Sequence, residues 1–320
     1  MAAGGPHRPG ALRRARRPAG PARPGRAGPD GGGVTGPVEI EVLRAGALTT
    51  VQDLGRPGWA HLGVPRSGAL DPAALRLANR LVGNPEHAAG LEITLTGCVL
   101  RLTRAATVAI TGAEVAVHAG DRPGDTGRPL SLPAGTVLRI GPAPRGVRSW
   151  VAVAGGIDVP PVLGSRATDT LSGLGPPPLR DGDRLPLGQP LGEPAPVDLT
   201  VGTAAPAELH LTLHPGPRDD WFTPAALDRL FGTAYTVSPV SNRVGARLAG
   251  ATLPRAIAGE LPSEGIVLGA VQVPADGQPL IFLADHPTTG GYPVIGVVSD
   301  VTPLAQARPG TTVRFHGPQR

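Results

Sequence analysis

Glycine and proline interrupt this chain so closely, at 47 and 39 of its 320 residues, that from Val38 onward its apolar stretches come only in short pieces. Short apolar pieces bounded by turn residues read as strands. Val38, Ile40 and Val42 alternate with Glu39 and Glu41, the period of a half-buried strand. Similar runs follow at 91–95, 107–110, 114–118, 136–140 and 149–153, and again at 209–213, 266–273, 280–284, 294–299 and 311–315. The pattern predicts a mainly β body of barrel or sandwich type with a few helices.

Two helices have start signals. Asp71 can cap a helix with Pro72 at its first position, Leu75, Ala78, Leu81 and Val82 on one face, and Gly83 as a stop. Thr223 and Pro224 repeat the device ahead of Leu227, Leu230 and Phe231. The echo of DPAAL in TPAAL, and of AGTVLRIGP (134–142) in PGTTVRFHGP (309–318), points to a duplicated architecture, with LRDGDRLPLG (179–188) a looser third copy. Chance matching in an Ala-, Gly- and Pro-rich chain is the other reading. The Pro-rich stretch 188–206 is the expected boundary, giving a first domain over 38–195 and a second over 205–320.

Composition narrows the chemistry. All 30 basic residues are arginine. Without a lysine there is no Walker-type phosphate loop, no Schiff base and no covalently attached biotin on this chain. Arginine still clamps carboxylates and phosphates with its planar fork, so an anionic substrate fits. The net charge of +5 is unevenly placed: residues 1–37 hold seven arginines and one acid, Asp30, whereas residues 38–320 hold 23 arginines against 24 acids. A near-neutral body with 3% aromatics offers neither a basic face nor stacking platforms, so nucleic acid is not an expected partner. The single cysteine, Cys98, allows no internal disulfide and fits a reducing cytosol, where the protein is expected.

The first 37 residues are Pro, Gly, Ala and Arg with almost no apolar bulk, and such a segment is expected to be disordered. Arg13-Arg14 and Arg16-Arg17 resemble twin-arginine pairs, yet no apolar stretch follows them as a secretion signal requires. The tail reads as non-functional, with an anion-binding or targeting arm as the other reading. No apolar run approaches the roughly 18 residues of a membrane span.

Polar chemistry concentrates in two places. Residues 49–71, TTVQDLGRPGWAHLGVPRSGALD, pack amide, acid, arginine, histidine and hydroxyl groups among glycines, and read as a site and not as a core strand. Residues 284–296, ADHPTTGGYPVIG, are of the same kind far downstream, so the two loops are expected to meet around a small molecule.

These segments, with AITGAEV (109–115), VAVAGGIDVPPVLGSRATD (151–169), SNRVGARLAG (241–250) and GAVQVPADGQPLIFLADHPTTGGYPVIGVV (269–298), closely resemble the family of the 5-oxoprolinase C subunit. That family includes the allophanate hydrolase subunit 2-like proteins, the KipA-type regulators and part of the carboxyltransferase region of urea carboxylase. The resemblance runs in order from about Val38 to Phe315. It implies a pair of cyclophilin-like β-barrel domains and partner subunits B (KipI-like) and A (LamB/YcsF-like). The activity implied opens the lactam of 5-oxo-L-proline to L-glutamate with ATP, as the magnesium complex. A carboxyltransferase component taking biotin from another protein, and a regulatory module that sequesters a KipI-like partner, are the two other readings. The chain departs from the family at Asn242, where Asp is frequent, at Ala246, where an aromatic is common, and at His286-Pro287, where Arg-Gln is common.

Residue roles follow from chemistry. An unstrained amide resists water, so its opening needs cations and donors placed around a developing charge. Arg56 and Arg243, in Gly-flanked motifs, are candidates to hold a substrate carboxylate or phosphoryl oxygens, or else to fix loops by salt bridges. Gln52 and Asp53 orient substrate or water, or cap a turn. His61 is a general base or a satisfied loop histidine. Asp285 is the downstream acid of the site. Ser67 and Gln272 are candidate substrate contacts. Thr288, Thr289, Gly290 and Gly291 form a donor set for an anion, or a tight turn before Tyr292. Asp285 and His286 are neighbours that point to opposite faces on a strand, so a metal shared by both, with Glu264, is not expected. Ser67, Ser165 and Ser241 lie outside the G-x-S-x-G pattern of a nucleophile elbow.

Overall fold

The computed structural model describes residues 39–194, 205, 207–259 and 261–318; the expected N-terminal tail, and most of the expected 188–206 boundary, lie outside them. The described residues gather into one compact unit. Among the described residues the body is mainly β, with two α-helices.

The first half of the body makes two sheets. One has six strands in the order Arg184–Pro186, Glu39–Arg44, Cys98–Leu102, Val137–Ile140, Val117–Ala119 and Arg122–Gly124. The other has five, in the order Leu48–Gln52, Gly90–Thr94, Arg148–Val153, Ala106–Gly112 and Pro129–Leu132. All pairings within them are antiparallel. Ile40 and Val42 point inward from Glu39–Arg44, with Leu91, Leu100, Ile110 and Val151 in the same core. That inward alternation is what fixes the register, since a one-residue slip would send each of these side chains to the other face.

The second half closes into a barrel of seven strands: Glu208–Pro215, Val294–Val298, Ala270–Gln272, Leu280–Phe282, Gly245–Ala249, Tyr235–Val237 and Thr312–His316. A parallel pairing of Glu208–Pro215 with Thr312–His316 completes the ring and leaves no open edge. Leu211, Tyr235, Val271, Ile295 and Phe315 fill it.

Both helices start where their caps predict. Helix α1 (Pro72–Leu81) has the Asp71 carboxylate accepting from the Ala74 amide, and α2 (Pro224–Gly232) has the Thr223 hydroxyl accepting from the Ala226 amide. Ala78, Leu81 and Val82 of the first helix region lie on Ala109 and Ala152 of the five-stranded sheet. Each of the three echoed segments is a turn leading into a strand, at Val137–Ile140, Arg184–Pro186 and Thr312–His316.

The structure adds strands that were not expected, Cys98–Leu102, Pro129–Leu132 and Gly245–Ala249 among them, and corrects the expected elements in three places. Residues 49–52, read as part of a site and not as strand, belong to the strand Leu48–Gln52, with Thr49, Thr50, Val51 and Gln52 all buried. Their polar hydroxyls and amide masked the strand. The run 266–273 shortens to Ala270–Gln272 because Gly269 takes a positive φ of 82° in front of it, where a Cβ would lie 2.4 Å from the Val298 carbonyl oxygen. The run 114–118 begins only at Val117.

Candidate functional site

The strand Leu48–Gln52 delivers the chain into a loop, residues 53–71, that is tied down from two directions. Asp53 accepts from the Gly55 amide (2.8 Å), the Ser165 hydroxyl (2.6 Å) and the Arg166 amide (2.6 Å), so it staples this loop to the segment around 162–170. Asp53 therefore caps a turn. Gln52 donates to the Thr50 hydroxyl (3.1 Å) and the Thr168 carbonyl (2.9 Å) beneath the same segment. Farther on, Gly68 has a φ of 90°, and a Cβ there would meet the Gly55 amide nitrogen at 2.6 Å; only glycine lets the two ends of the loop close on each other.

Opposite stands the segment that follows Leu280–Phe282. The Ser67 amide donates to the Ala284 carbonyl (3.1 Å), and the Ser67 hydroxyl lies 2.7 Å from Asp285 Oδ1 and 3.0 Å from the Thr168 carbonyl. The two polar segments thus meet, as the sequence predicts. Ser67 holds a left-handed φ of 52°, uncommon for a residue with a side chain.

Arg243 organises the buried centre of this junction. Its guanidinium takes Asp285 through two parallel bonds, Nε to Oδ2 (2.8 Å) and Nη2 to Oδ1 (2.9 Å), reaches Glu92 Oε1 through Nη1 (2.6 Å) and donates to the Gly68 carbonyl (2.7 Å). Asp285 also accepts from the Thr170 amide (3.0 Å) and hydroxyl (2.7 Å). Glu92 Oε2 accepts from the Leu70 amide (3.2 Å), and its Oε1 lies 3.4 Å from Arg148 Nε. Two arginines and two carboxylates, all buried, balance in charge. Burial opposes the charge on Arg243, but Glu92 and Asp285 outweigh it and raise its pKa. Asp285 is likewise penalised by burial, yet Arg243, Ser67 and Thr170 hold its pKa below the ordinary carboxylate value. Arg148 goes the other way: burial lowers its pKa against the pull of Glu92.

Arg243 is therefore committed to the protein and is not placed to clamp a substrate. Arg56 is equally enclosed at 1% exposure, with Nε donating to Val162 (3.3 Å) and Nη2 to Ala167. Its Nη1 has no hydrogen-bond partner among the described residues, and burial lowers its pKa against the attraction of Asp169, Asp53 and Asp285. In both arginines the loop-fixing alternative is what the contacts show. His61 lies apart, exposed on a short turn, with Nδ1 3.1 Å from the Gly58 carbonyl and its ring stacked on Trp59.

The downstream residues form a second group. Thr289 and Gly290 pair with Gly265 and Glu264 in a two-stranded ladder, Ile266 donates to the Thr288 carbonyl (2.8 Å), and Leu261 donates to the Gly291 carbonyl (3.1 Å). This segment, read from sequence as an anion donor set or a tight turn, has the backbone of Thr289 and Gly290 engaged in a short ladder beside Glu264, whose carboxylate is paired with Arg218. Gln272 donates to the Tyr292 carbonyl (2.9 Å), and the exposed Tyr292 ring has the Arg255 guanidinium 5.8 Å from its centroid. Gly290 leaves room for Gln272, whose amide nitrogen would be 2.7 Å from a Cβ there. Asp285, His286 and Glu264 do not converge: Asp285 faces Arg243, and Glu264 faces Arg218.

Between the two segments opens a cleft of about 160 Å³ walled by Leu54, Leu70, Pro72, Leu268 and Val301, with Arg66, Ser67, His286, Ser299, Asp300 and Thr302 as its polar residues. The buried network stands behind it and holds Ser67 in place. Sequence reasoning missed Glu92, Arg148, Thr170 and Gln306. The available signal was a charge inside an apolar run, Glu92 within LEIT and Arg148 ahead of SWVAV. Gln306 bridges the Val147 and Arg148 amides (2.9 and 3.0 Å), and donates to Asp71 (3.2 Å), a contact invisible to local pattern.

Residues 62–317 match the family model described as carboxyltransferase domain, subdomain A and B. The chain is 40% identical over 285 residues to the C subunit of 5-oxoprolinase from Escherichia coli (strain K12), covering 86% of this chain and 90% of that protein. It is 34% identical over 308 residues to urea amidolyase of Lachancea kluyveri, covering 87% of this chain and 17% of that one. Among solved structures it superposes on the K. lactis urea amidolyase with a TM-score of 0.82 at 31% identity, over 88% of this chain and 19% of that chain. On TTHA0988 the TM-score is 0.78 at 37% identity, over 88% of this chain and 56% of that chain. This chain thus spans little more than half of the TTHA0988 chain.

Proposed function

This chain belongs to the carboxyltransferase domain family, subdomain A and B, and from that membership we propose that it is the C subunit of an ATP-dependent 5-oxoprolinase, which opens the lactam of 5-oxo-L-proline to L-glutamate together with the A and B subunits. The observation that carries this reading is one of length. The chain aligns with 90% of the E. coli C subunit, whereas it aligns with 17% of the urea amidolyase from L. kluyveri. The matched stretch thus corresponds to nearly all of the C subunit and to a small part of the amidolyase. Two of the hydrophobic cores, one built within residues 40–187 and one that draws mainly on residues 209–315, support reading the body as two β domains.

In this reading the cleft at the loop junction holds the small substrate, and the Arg243–Asp285–Glu92 network keeps its walls in register. Ring opening at an amide demands fixed donors and little reorganisation, which a buried, hydrogen-bonded network supplies. A nucleotide does not fit the cleft: about 160 Å³ is below the roughly 300–1,000 Å³ of drug-sized sites. This cleft is therefore assigned to the small substrate and not to ATP.

The test is reconstitution. Co-expression with the A and B subunits is expected to give ATP-dependent release of glutamate from 5-oxoproline that is lost when this chain is omitted; release that persists without the chain removes the assignment. The superposition on urea amidolyase favours a second reading, a carboxyltransferase component that receives biotin from another protein. It predicts transfer of the carboxyl group from an added carboxybiotin-bearing carrier to an amide acceptor such as urea, leaving free biotin on the carrier, with no need for the LamB/YcsF-like partner.

A further inference from the structure

The cleft between the loop 53–71 and the segment after Leu280–Phe282 contains, beside the hydroxyls of Ser299 and Thr302, an imidazole nitrogen and a guanidinium that make no hydrogen bond among the described residues. His286, buried on most of its surface, has Nδ1 2.7 Å from the Pro287 carbonyl. A carbonyl oxygen can only accept, so Nδ1 carries the hydrogen, and in the neutral ring Nε2 is left with a lone pair. Burial lowers the pKa of His286 against the pull of the Pro287 carbonyl, Asp285 and Asp169, which keeps the ring neutral at pH 7. Nε2 has no hydrogen-bond partner among the described residues.

Arg66 is the second. It lies at the exposed rim of the same cleft, its backbone carbonyl accepts from the Arg56 amide, and its guanidinium has neither a hydrogen bond nor an ion pair among the described residues. Asp300 shares the rim but turns Oδ1 to the Thr302 amide (2.9 Å). The rest of the lining is largely apolar, from Leu54, Ala69, Leu70, Leu268, Val298 and Val301. An apolar slot with an acceptor inside and an uncommitted cation at its mouth is complementary to a small apolar ring that carries an N–H at one place and a carboxylate at another.

We propose that Arg66 and His286 are the substrate-recognition pair of this cleft, Arg66 receiving the carboxylate of a small cyclic amide acid and His286 Nε2 accepting its ring N–H. The proposal rests on the 5-oxoprolinase reading and gives that reading a site. It also moves recognition away from the buried Arg56 and Arg243, whose side chains serve the loops.

The test uses the chain assembled with the A and B subunits, reading KM and kcat for 5-oxo-L-proline, with 5-oxo-L-prolinamide and N-methyl-5-oxo-L-proline as competing ligands. Arg66→Gln is expected to raise KM at least about tenfold, the loss of one charge-assisted hydrogen bond, with kcat little changed, and to stop preferring the acid over its amide. His286→Phe is expected to raise KM similarly and to lose preference for the N–H ligand over its N-methyl form. His286→Gln, whose amide oxygen accepts the same N–H, is expected to recover most of that preference. Melting temperatures within a few degrees of wild type separate these effects from misfolding. Unchanged KM and unchanged ligand preference in the Arg66 and His286 variants overturn the proposal, while the 5-oxoprolinase reading stands as long as turnover still requires the chain. Turnover that does not require the chain overturns both.

Discussion

Arg243 grips Asp285 through two parallel hydrogen bonds of 2.8 and 2.9 Å, with both side chains at or below 1% exposure and the third partner, Glu92, arriving from a strand 151 residues earlier in the sequence. The contact joins the first half of the body to the barrel of the second. A buried ion cluster of this kind owes little net stability to its mere presence, but breaking it strands uncompensated charge. Arg243→Met is expected to cost on the order of 3–5 kcal/mol in urea unfolding. Arg243→Lys keeps the charge but loses the two-pronged geometry, and is expected to fall between that variant and wild type.

The same network sets an acid limit to stability. Asp285 has a folded pKa below its unfolded value, which is near 3.9 for an ordinary aspartate. As pH falls the unfolded chain takes up this proton first, so the contribution is complete above about pH 5 and is lost as pH drops through 4 toward the folded value. Urea midpoints taken from pH 7 to pH 3 are expected to fall on the acid side, and Asp285→Asn, although less stable at pH 7, is expected to lose part of that slope.

His286 contributes in a separate window. Its folded pKa is also depressed, because burial outweighs the pull of Pro287, Asp285 and Asp169. Protons therefore bind the unfolded chain preferentially below its ordinary pKa of about 6.5, and stability is full above that pH and declines below it. Replacing His286 with Gln is expected to flatten the curve between about pH 6.5 and pH 5, and leave the Asp285 limb in place.

How much of this was legible in sequence depends on the range of the contact. The caps at Asp71 and Thr223 and the alternation at Ile40 and Val42 are local rules, and the structure follows them. The meeting of residues 49–71 with 284–296 was legible from shared composition. What those polar residues do was not. Arg243 and Arg56 look like substrate clamps when only their glycine neighbours are visible, because the groups that consume their donors, Asp285, Glu92 and Gly68 for Arg243 and Val162 and Ala167 for Arg56, lie 42 to 175 positions away. Leu48–Gln52 escaped notice as a strand for a related reason: the partners that satisfy Thr49 and Gln52, the Ala45 and Thr168 carbonyls, come partly from a distant segment.

Cys98 offers a check on packing that needs no engineering. It is fully buried between the sheets of the first half, and burial pushes its thiol up to about 12. The thiolate is the reactive form, so at pH 8 a thiol-specific reagent is expected to leave the folded protein unmodified, and to react fully in denaturant. Rapid modification of the folded chain would show that this core opens.

Ser67 separates backbone strain from hydrogen bonding at the cleft. Its φ of 52° is a conformation that costs a residue with a side chain about 1–2 kcal/mol, and its hydroxyl reaches Asp285 at 2.7 Å. Ser67→Ala removes the hydrogen bond and keeps the strain, so a loss of about 1 kcal/mol or more is expected. Ser67→Gly removes the same bond but releases the strain, so glycine is expected to be the more stable of the two variants despite its greater freedom in the unfolded chain. If the strain serves substrate placement, glycine restores stability without restoring KM, because the relaxed loop no longer fixes the cleft wall beside Arg66 and His286. Unfolding midpoints and KM measured on the two variants together decide this.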